Sequence, residues 1–375
     1  MTKQPLVDPQ LEQSVCCSAR TAAERFALLS SKSFRCQLGH INSEILHRKA
    51  NAARTSGWYG ALPSWEPSNA VYPIPDSILP VVGVDGSQIY PDPMQPVQWA
   101  YLQALAYSVG NDPVTQCDYI DLEGLASGVI HRYDLPEDLL PHSRELKAQI
   151  DYQRSILEMK TAVKTLELLP GRIVLMDMPL VVWPPSSNSS FQKKSLLSQF
   201  YSLLNRLRGC PVAGIISSPT SNYLQQMLVL ANQDVHSNLK KSFFQDRFLL
   251  MGYLQPGERT ALFELGGVGN DMASTHQASI YFFYLCINDY EMARIEIPAW
   301  VAKDPQMVAQ IQASIYQDSL ALGYSYALSM AHHLVSIPYE KAAEMNQLAS
   351  DLFFNQPKNA GFSAKIRMKL GWEGS

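Results

Sequence analysis

The sequence predicts an α/β protein with one mixed central sheet that is flanked by helices. From Val81 onward, short apolar runs typical of buried strands alternate with longer segments of helical periodicity. Hydrophobic residues make up 46% of the chain and charged residues 17%, which is the composition of a globular protein. A chain of 375 residues is also long enough to bury a large core.

The N-terminal segment, residues 1–79, is predicted to be a helical region followed by a proline-rich linker. Thr21 and Glu24 have the spacing of a helix-capping box, and a second helix is predicted over residues 41–53. Five prolines then fall between residues 56 and 80. Proline restricts the backbone and cannot donate a hydrogen bond, so this stretch is expected to be a linker or an extended wrap.

The remainder of the chain supplies the predicted sheet and its helices. Residues 81–84 and 97–109 are expected to pair as a hairpin, and 151–169 has the clearest helical stripe. That stripe recurs at spacings of four and three residues in Tyr152, Ile156, Met159, Val163 and Leu166. Further strands are predicted over 172–178, 211–217, 280–287 and 293–297, and further helices over 195–208, 305–322 and 324–337.

Three carboxylates occupy positions that suggest a common site. In PVVGVDGS, residues 80–87, Asp85 ends a predicted strand and precedes a predicted turn. Asp177 lies near the end of the strand RIVLMDM, and Glu158 lies on the shoulder of the preceding helix, about 120° from the centre of its apolar stripe. If the two strands are neighbours, Asp85 and Asp177 approach each other.

Such a cluster needs positive charge. An unpaired buried carboxylate costs several kcal/mol, and hard divalent ions such as Mg²⁺ and Mn²⁺ take oxygen ligands of this kind. Two such ions roughly 4 Å apart can clamp the attacking and leaving oxygens of a phosphodiester. The sequence therefore allows the hypothesis that a metal ion compensates Asp85.

Each carboxylate also has a structural interpretation, and the residues alone leave both open. Asp-Gly-Ser is commonly a turn in which the aspartate caps its own backbone. Glu158 is equally consistent with a solvated helix residue, and Asp177 with a buried ion pair. Arg294 and Glu296 alternate on one strand face and are expected to form a structural ion pair.

Six ordered blocks of the chain resemble the NurA nucleases. VVGVDGSQIYPDP is similar to the opening motif of that family, and ILEMKTAVKTLELLPGRIVLMDMPL matches its glutamate-bearing helix and aspartate-bearing strand. The later blocks are PVAGIISSPTSNYL, YLQPGERTALFE, FFYLCINDYEMARIEIPAWVAKD and GYSYALSMAHHLVSI. The resemblance runs from Pro80 to Ile337 and implies a ribonuclease-H-like core.

The resemblance implies a site and a cofactor. Asp85, Glu158, Asp177 and His332 would be the metal ligands and catalytic residues, with Mn²⁺ or Mg²⁺ bound. Two departures from the family pattern bear on activity. The family's Asp-Gly-Ser-Leu reads Asp-Met-Pro-Leu here, and Thr220 stands where relatives tend to carry a lysine.

The resemblance also implies the biological context. It predicts hydrolysis of single- and double-stranded DNA, of a 5′–3′ exonuclease or endonuclease type, during end resection and repair of double-strand breaks. The implied partner is a HerA-like hexameric ATPase, and the implied assembly is a homodimer. Residues 80–340 would form the nuclease domain, and residues 341–375 a basic tail or helix. Predicted DNA contacts are Lys193, Lys194, Lys365, Arg367 and Lys369.

Two other functions fit parts of the sequence. The first is a catalytically weak or inactive scaffold of the same fold that partners a DNA-translocating ATPase. The second is an actin-like phosphotransferase, for which GGVGN at 266–270 is the available glycine-rich loop, although it lacks a strand–loop–helix context.

Charge and cysteine content limit the remaining possibilities. The formal net charge of −4 gives no global attraction to nucleic acid or anionic membranes, so such binding requires local patches. The six cysteines include no C-x-x-C pair. With no predicted signal peptide or membrane span, they are expected to be reduced thiols in a cytoplasmic protein.

Overall fold

The computed structural model describes residues 13–20, 31–53, 58–92, 99–109, 117–120, 127–131, 144–182, 190–231, 244–266 and 278–354. The predicted capping box at Thr21 and Glu24 lies outside these residues, as do most of the GGVGN loop and the predicted contacts Lys365, Arg367 and Lys369. Residues 13–20 are helical and exposed.

The described strands form one twelve-stranded sheet. In chain order they are β1 (Gly60–Pro63), β2 (Val71–Tyr72), β3 (Val81–Ile89), β4 (Trp99–Val109), β5 (Cys117–Ile120), β6 (Ser127–His131), β7 (Ile173–Met176), β8 (Val212–Ser217), β9 (Arg259–Thr260), β10 (Phe263–Gly266), β11 (Ile280–Cys286) and β12 (Met292–Pro298). The main path through the sheet is β1-β10-β11-β12-β8-β7-β3-β4-β5.

The described helices flank this sheet. They are α1 (Ser31–Gly39), α2 (Ser43–Ala53), α3 (Arg144–Leu168), α4 (Ser190–Arg206), α5 (Tyr223–Ala231), α6 (Asp246–Leu250), α7 (Ala299–Ala302), α8 (Pro305–Ser319), α9 (Tyr326–Val335) and α10 (Tyr339–Phe354). Within the described part of the chain, no helix is both long and apolar enough to cross a membrane.

The centre of the sheet is parallel, and this brings the ends of three strands to one edge. β3 pairs with β7 in parallel, and β7 pairs with β8 in parallel, whereas β4 and β12 run antiparallel on either side. Helix α3 leads into β7 and helix α4 connects β7 to β8, as parallel pairing requires. The mixed α/β fold predicted from the sequence is confirmed.

Two cores cover the two faces of the sheet. Successive side chains of a strand point to opposite faces, and β7 shows this directly. Val174 and Met176 pack in the core that contains the α3 stripe, whereas Ile173 and Leu175 pack in the core formed with α8 and α9. All five residues of the predicted α3 stripe are buried. The helical periodicity therefore identified the buried face correctly.

Three local predictions differ from the structure. The predicted turn at Asp-Gly-Ser is wrong, because β3 continues to Ile89 and pairs with β4 along that length. Helix α3 begins at Arg144, earlier than the apolar stripe indicated. The proline-rich segment contributes β1 and β2, which pair with β10 and β9. Proline is tolerated at the ends and edges of sheets, which fits this arrangement.

Helix α9 lies unusually close to β3. A Cβ atom built on Gly83 would lie 2.4 Å from the carbonyl carbon of Ala327 and 2.6 Å from the nitrogen of Leu328. The glycine therefore lets the backbone of α9 rest against the strand. This contact places the following turn of α9, which carries His332, beside Asp85.

Candidate active site

Asp85 is a buried carboxylate in the interior of β3. The residue is 5% exposed, and it pairs with Leu105 of β4. Its Oδ1 accepts a hydrogen bond from the backbone nitrogen of Gly86 at 2.7 Å, and its Oδ2 lies 2.7 Å from Nδ1 of His332. Asp85 therefore makes both the local backbone contact of an Asp-Gly pair and a long-range contact to α9.

Glu158 reaches β3 from helix α3. It is 2% exposed, so the alternative of a solvated helix residue is wrong. A Cβ atom on Gly86 would lie 2.4 Å from Oε1 of Glu158. The missing side chain at Gly86 thus makes room for the glutamate directly beside Asp85. The predicted shoulder position on the helix is what allows this approach.

Arg154 is the cationic side chain next to Glu158, one helical turn earlier on α3. Its Nε lies 3.3 Å from Oε1 of Glu158, but the N–H does not meet hydrogen-bond geometry, so the contact is an ion pair. Its Nη1 donates to Oε1 of Gln88 at 3.1 Å and lies 3.5 Å from the carbonyl of Gly86. The i, i+4 spacing of Arg154 and Glu158 in the sequence is typical of an ion pair on one face of a helix.

Asp177 follows directly after β7, at the same edge of the sheet. Its backbone nitrogen lies 3.4 Å from the carbonyl oxygen of Val84, which extends the parallel ladder by one residue. Desolvation by neighbouring protein atoms raises the pKa of Asp177, although part of the residue is exposed, and the charge of Asp85 raises it further. The structure therefore brings Asp85 and Asp177 to one place, as predicted.

Tyr324 is a site residue that the sequence analysis missed. Its hydroxyl hydrogen-bonds the carboxylate of Asp177, and this bond opposes the rise in the pKa of that carboxylate. Burial, followed by the charge of Asp177, raises the pKa of Tyr324 itself, so the phenol stays protonated and donates. The tyrosine stands two residues before α9 in GYSYALSM, a block quoted above only for its histidine.

His332 contacts the cluster from the solvent side. Its side chain is 69% exposed, so it is not a packed core histidine. Because Nδ1 faces Asp85, the neutral ring holds its proton there and leaves Nε2 as the nitrogen that can accept a proton or bind an ion. The neighbouring histidine, His333, is exposed, and the contact to Asp85 is made by His332.

The electrostatic imbalance of the cluster is greatest at Glu158. Burial raises the pKa of Glu158 to about 8, and the charges of Asp85 and Asp177 contribute to this rise. Arg154 acts in the opposite direction but does not cancel it. Three carboxylates close together, with a single arginine beside them, are a charge distribution typical of a functional site.

The donor chemistry of the cluster fits a hard divalent cation. Three carboxylates and an imidazole offer oxygen and nitrogen ligands of the kind Mn²⁺ accepts, and a cation would compensate the buried charge. Within the described residues, however, no group of three or more His, Cys, Asp or Glu side chains is already arranged to hold an ion. Glu158 is held by Arg154 and Asp85 by His332, so these two contacts would have to change when an ion binds.

The predicted DNA contacts are largely outside the described structure. Lys194 lies exposed on α4, and for Lys193 on the same helix only the backbone is described. Thr220, at the position where relatives tend to carry a lysine, is exposed just after β8. Exposure of Lys194 is compatible with contact to phosphate but does not test it.

The predicted ion pair of Arg294 and Glu296 is present. The two side chains are buried on β12, with Nη2 of Arg294 donating to Oε1 of Glu296 at 2.8 Å. The guanidinium also lies over the ring of Tyr223, 4.7 Å from its centroid. Unlike the carboxylate cluster, this pair is balanced in charge.

Fold and site together define a class of protein. Five strands of the sheet lie in the order β5-β4-β3-β7-β8. Strands β3, β7 and β8 are parallel, and β4 runs antiparallel to its neighbours β3 and β5. This is the arrangement of a ribonuclease-H-like sheet. Asp177 lies directly after β7, Asp85 lies on β3 just past its parallel pairing with β7, and Glu158 on a helix adds a third carboxylate beside Asp85. This is an α/β protein of the ribonuclease-H-like type with an acidic site at the carboxyl edge of the sheet.

The chain belongs to the NurA family. The family model described as the NurA domain matches residues 79–337, which is more than half of the sequence. No curated protein matches the chain.

The fold of a solved structure supports the same assignment. The crystal structure of the NurA nuclease from Sulfolobus solfataricus is similar with a TM-score of 0.54 and 13% sequence identity, over 84% of this chain and 95% of that chain. A second structure, described as NurA, has a TM-score of 0.48 and 12% identity, over 84% of this chain and 96% of that chain. At such low identity the first likeness shows the fold alone.

Proposed function

We propose that this protein is a divalent-metal-dependent DNA nuclease whose site is the carboxylate cluster of Asp85, Glu158 and Asp177. Membership of the NurA family supports a nuclease. The observation that carries the proposal is the buried Glu158, whose pKa is raised to about 8 beside two further carboxylates. Such an arrangement destabilises the fold unless a ligand compensates it, and carboxylates with strongly shifted pKa values cluster at functional sites.

Each residue of the site would have a distinct role. Asp85, Asp177 and Glu158 would hold the cation with carboxylate oxygens, and Tyr324 would orient Asp177 through its hydroxyl. His332, with Nδ1 held by Asp85, would use Nε2 as a further ligand or to carry a proton. When bound, Mn²⁺ or Mg²⁺ would activate a water and stabilise the charge that develops on the leaving oxygen.

Two contacts would exchange as the site becomes loaded. Glu158 would leave Arg154, and the arginine would then be available to a phosphate oxygen near the Gly86 carbonyl. Asp85 would share its second oxygen between His332 and the ion.

The finer function follows from the family rather than from the site. We extend the proposal to single- and double-stranded DNA, cut in a 5′–3′ exonuclease or endonuclease mode during double-strand break resection. It includes a HerA-like ATPase as partner, a homodimer as the assembly, and Mn²⁺ or Mg²⁺ as the ion. The exposed Lys194 on α4 is a suitable phosphate contact.

The departure at Met178-Pro179 does not remove the carboxylate. Pro179 lacks a backbone N–H, so the family's hydroxyl residue and its donor are both absent at this position. The segment is nevertheless anchored beyond the proline, because the backbone nitrogen of Leu180 donates to Glu296 at 2.8 Å. We therefore expect activity to be retained.

The test is cleavage of linear single- and double-stranded DNA in the presence of Mn²⁺. The parent, Asp85→Ala and Asp177→Ala are compared with Asp76→Ala, a control at an exposed aspartate ahead of β3. We expect cleavage by the parent and the control, and loss of cleavage in both cluster variants and in excess chelator. Equal, metal-independent behaviour of all four proteins would contradict the nuclease and favour a non-catalytic scaffold.

A further inference from the structure

Glu296 connects the sheet to the segment that carries Asp177. The side chain is 1% exposed and lies on β12. Its Oε1 accepts a hydrogen bond from Nη2 of Arg294 at 2.8 Å, and its Oε2 accepts one from the backbone nitrogen of Leu180, also at 2.8 Å. One carboxylate oxygen is thus held within β12, while the other holds the chain that follows β7.

Gly214 makes this connection possible. Glu296 pairs with Gly214 on β8, and Gly214 pairs with Met176 on β7, so the carboxylate must reach across a complete strand. A Cβ atom on Gly214 would lie 2.4 Å from the carbonyl oxygen of Met178 and 3.1 Å from Cγ of Leu180. The glycine therefore leaves the space in which the segment 177–180 lies against β8.

The segment is held at both of its ends. At the first end, the nitrogen of Asp177 meets the carbonyl of Val84 at 3.4 Å, which is a long hydrogen bond. At the other end, the nitrogen of Leu180 meets Glu296 at 2.8 Å. Pro179 between them has no N–H to offer. Glu296 consequently provides the shorter of these two backbone anchors.

The charge of Glu296 is itself held in place. Arg294 is buried beside it, and its guanidinium lies over the ring of Tyr223. An apolar pair of similar size would avoid the desolvation cost of two buried charges, but it would offer no acceptor to Leu180. The ion pair is thus the arrangement that both fills this position and binds the segment.

We propose that Glu296 is a positioning residue of the nuclease site, which sets the direction of Asp177 by holding the segment 177–180 through Leu180. The inference rests on the proposed function, since it assigns Glu296 a role toward the metal-binding carboxylate. Groups that orient a metal ligand commonly change metal affinity about 10–100-fold when they are removed. Glu296 acts on the ligand through the backbone rather than through a side chain.

The test uses a double variant and a milder single variant. The double variant Arg294→Leu with Glu296→Leu removes both charges of the pair together, so neither partner is left behind as a buried unpaired charge. The single variant Glu296→Gln keeps a carbonyl oxygen that can accept from Leu180. Amide hydrogen exchange of the segment 177–182 is measured in chelator, and Mn²⁺ affinity is measured by titration calorimetry.

Glu66 and Arg259 provide a matched control elsewhere on the sheet. Glu66 accepts from both Nη atoms of Arg259 at 3.0 Å and from the backbone nitrogen of Leu262 at 2.6 Å. This is a similar combination of partly buried carboxylate, buried arginine and leucine backbone, joined to the segment before β10. The double variant Glu66→Leu with Arg259→Leu therefore reports the general effect of removing such a pair.

We expect the Glu296 double variant to exchange the amides of 177–182 about tenfold faster or more and to bind Mn²⁺ about tenfold more weakly or worse. Glu296→Gln should lie between this variant and the parent, and the Glu66 control should match the parent in both measurements. Unchanged exchange and affinity in the Glu296 double variant, or equal losses in the control, would overturn the positioning role.

Failure of the proposed function gives a different pattern. A parent protein that binds no Mn²⁺ and cuts no DNA would overturn the nuclease assignment and, with it, a role for Glu296 toward a metal ligand. Exchange of the 177–182 amides would still report whether Glu296 holds the segment. The two failures are therefore distinguished by the parent alone.

Discussion

The carboxylate cluster and the Arg294–Glu296 pair both contain buried charged groups at the central sheet, yet they differ in charge balance. Glu296 has a guanidinium on one oxygen and a backbone N–H on the other. Glu158 has one ion pair that does not reach hydrogen-bond geometry, and Asp85 and Asp177 are beside it. The charge of Glu296 is therefore compensated by its neighbours, whereas the charges of the carboxylate cluster are not.

This difference separates structural from functional charge. A buried pair that satisfies its own charges holds the fold, and breaking it leaves an uncompensated charge. A cluster of like charges raises the pKa of its members and destabilises the fold unless a ligand compensates it. Removing a carboxylate from the cluster is thus expected to reduce activity without reducing stability. Removing a buried charge whose partners satisfy it is expected to reduce stability without reducing activity.

The largest contrast is predicted between Asp177→Asn and Asp246→Asn. Removing the charge of Asp177 should reduce DNA cleavage about a thousandfold or more, because an ion loses a ligand, while the melting temperature stays the same or rises. Asp246 is fully buried and accepts from Leu224, Gln225 and Tyr284, so its asparagine variant should lose about 1–3 kcal/mol of stability.

Cleavage rates and thermal melts of the two variants decide this comparison. The Asp246 variant should keep the activity of the parent per folded molecule. If Asp177→Asn melts far below the parent and cleaves normally, Asp177 belongs with the structural charges instead.

Substitutions of two glycines of β3 by alanine are predicted to separate an effect on stability from an effect on activity. Gly83→Ala would force a methyl group to within 2.4 Å of the backbone of α9, and we expect a loss of about 3 kcal/mol because backbone cannot move aside easily. Gly86→Ala would instead meet the side chain of Glu158, also at 2.4 Å. It should cost less stability, about 1–2 kcal/mol, but displace the glutamate and lower cleavage.

Chemical denaturation and cleavage assays on both glycine variants measure the two effects. The expected pattern is a greater loss of stability for Gly83→Ala and, among molecules that remain folded, a greater loss of activity for Gly86→Ala. The reverse order in activity would mean that Glu158 does not need its present position beside Gly86.

The last predicted effect is on stability as a function of pH, without loss of the fold. The pKa of Glu158 is raised from 4.5 to about 8, so the folded chain keeps a proton that the unfolded chain releases over this range. Stability from this group is complete below about pH 4.5 and is lost as the pH rises toward 8. In chelator, Glu158→Gln should therefore be more stable than the parent above pH 8, by on the order of 1–3 kcal/mol.

Denaturant unfolding between pH 4.5 and 8.5 provides the measurement. Glu167→Gln, on the exposed part of the same helix, serves as the control and should follow the parent's curve. Parallel curves for Glu158→Gln and the parent would show that the carboxyl of Glu158 is not held in its protonated form.

Much of the fold could be predicted from the sequence, because its signals are local. The stripe on α3 and the apolar runs of β7, β8, β11 and β12 each identify an element within a few residues. The extension of β3 through Asp-Gly-Ser could not be predicted in this way. Pairing with β4 overrides the turn preference of those residues, and pairing is a non-local effect.

The three acids and His332 were predicted from the sequence, whereas the other residues of the site were not. Asp85, Glu158 and Asp177 stand out because an acid in or beside an apolar run is uncommon. Tyr324 and Arg154 do not stand out, since their importance arises from distances to residues far along the chain. The closeness of Glu158 to β3 likewise depends on Gly86, whose role is visible only from the space that its side chain would occupy.

The central claim is that Asp85, Glu158 and Asp177 bind one divalent ion or a pair of ions at a single place. Crystals grown without metal and then soaked in Mn²⁺ test it through the anomalous signal of manganese. The account predicts a manganese peak in contact with oxygens of all three carboxylates, with Glu158 turned away from Arg154. A structure in which manganese is absent from this edge, with Glu158 still paired to Arg154, would contradict it.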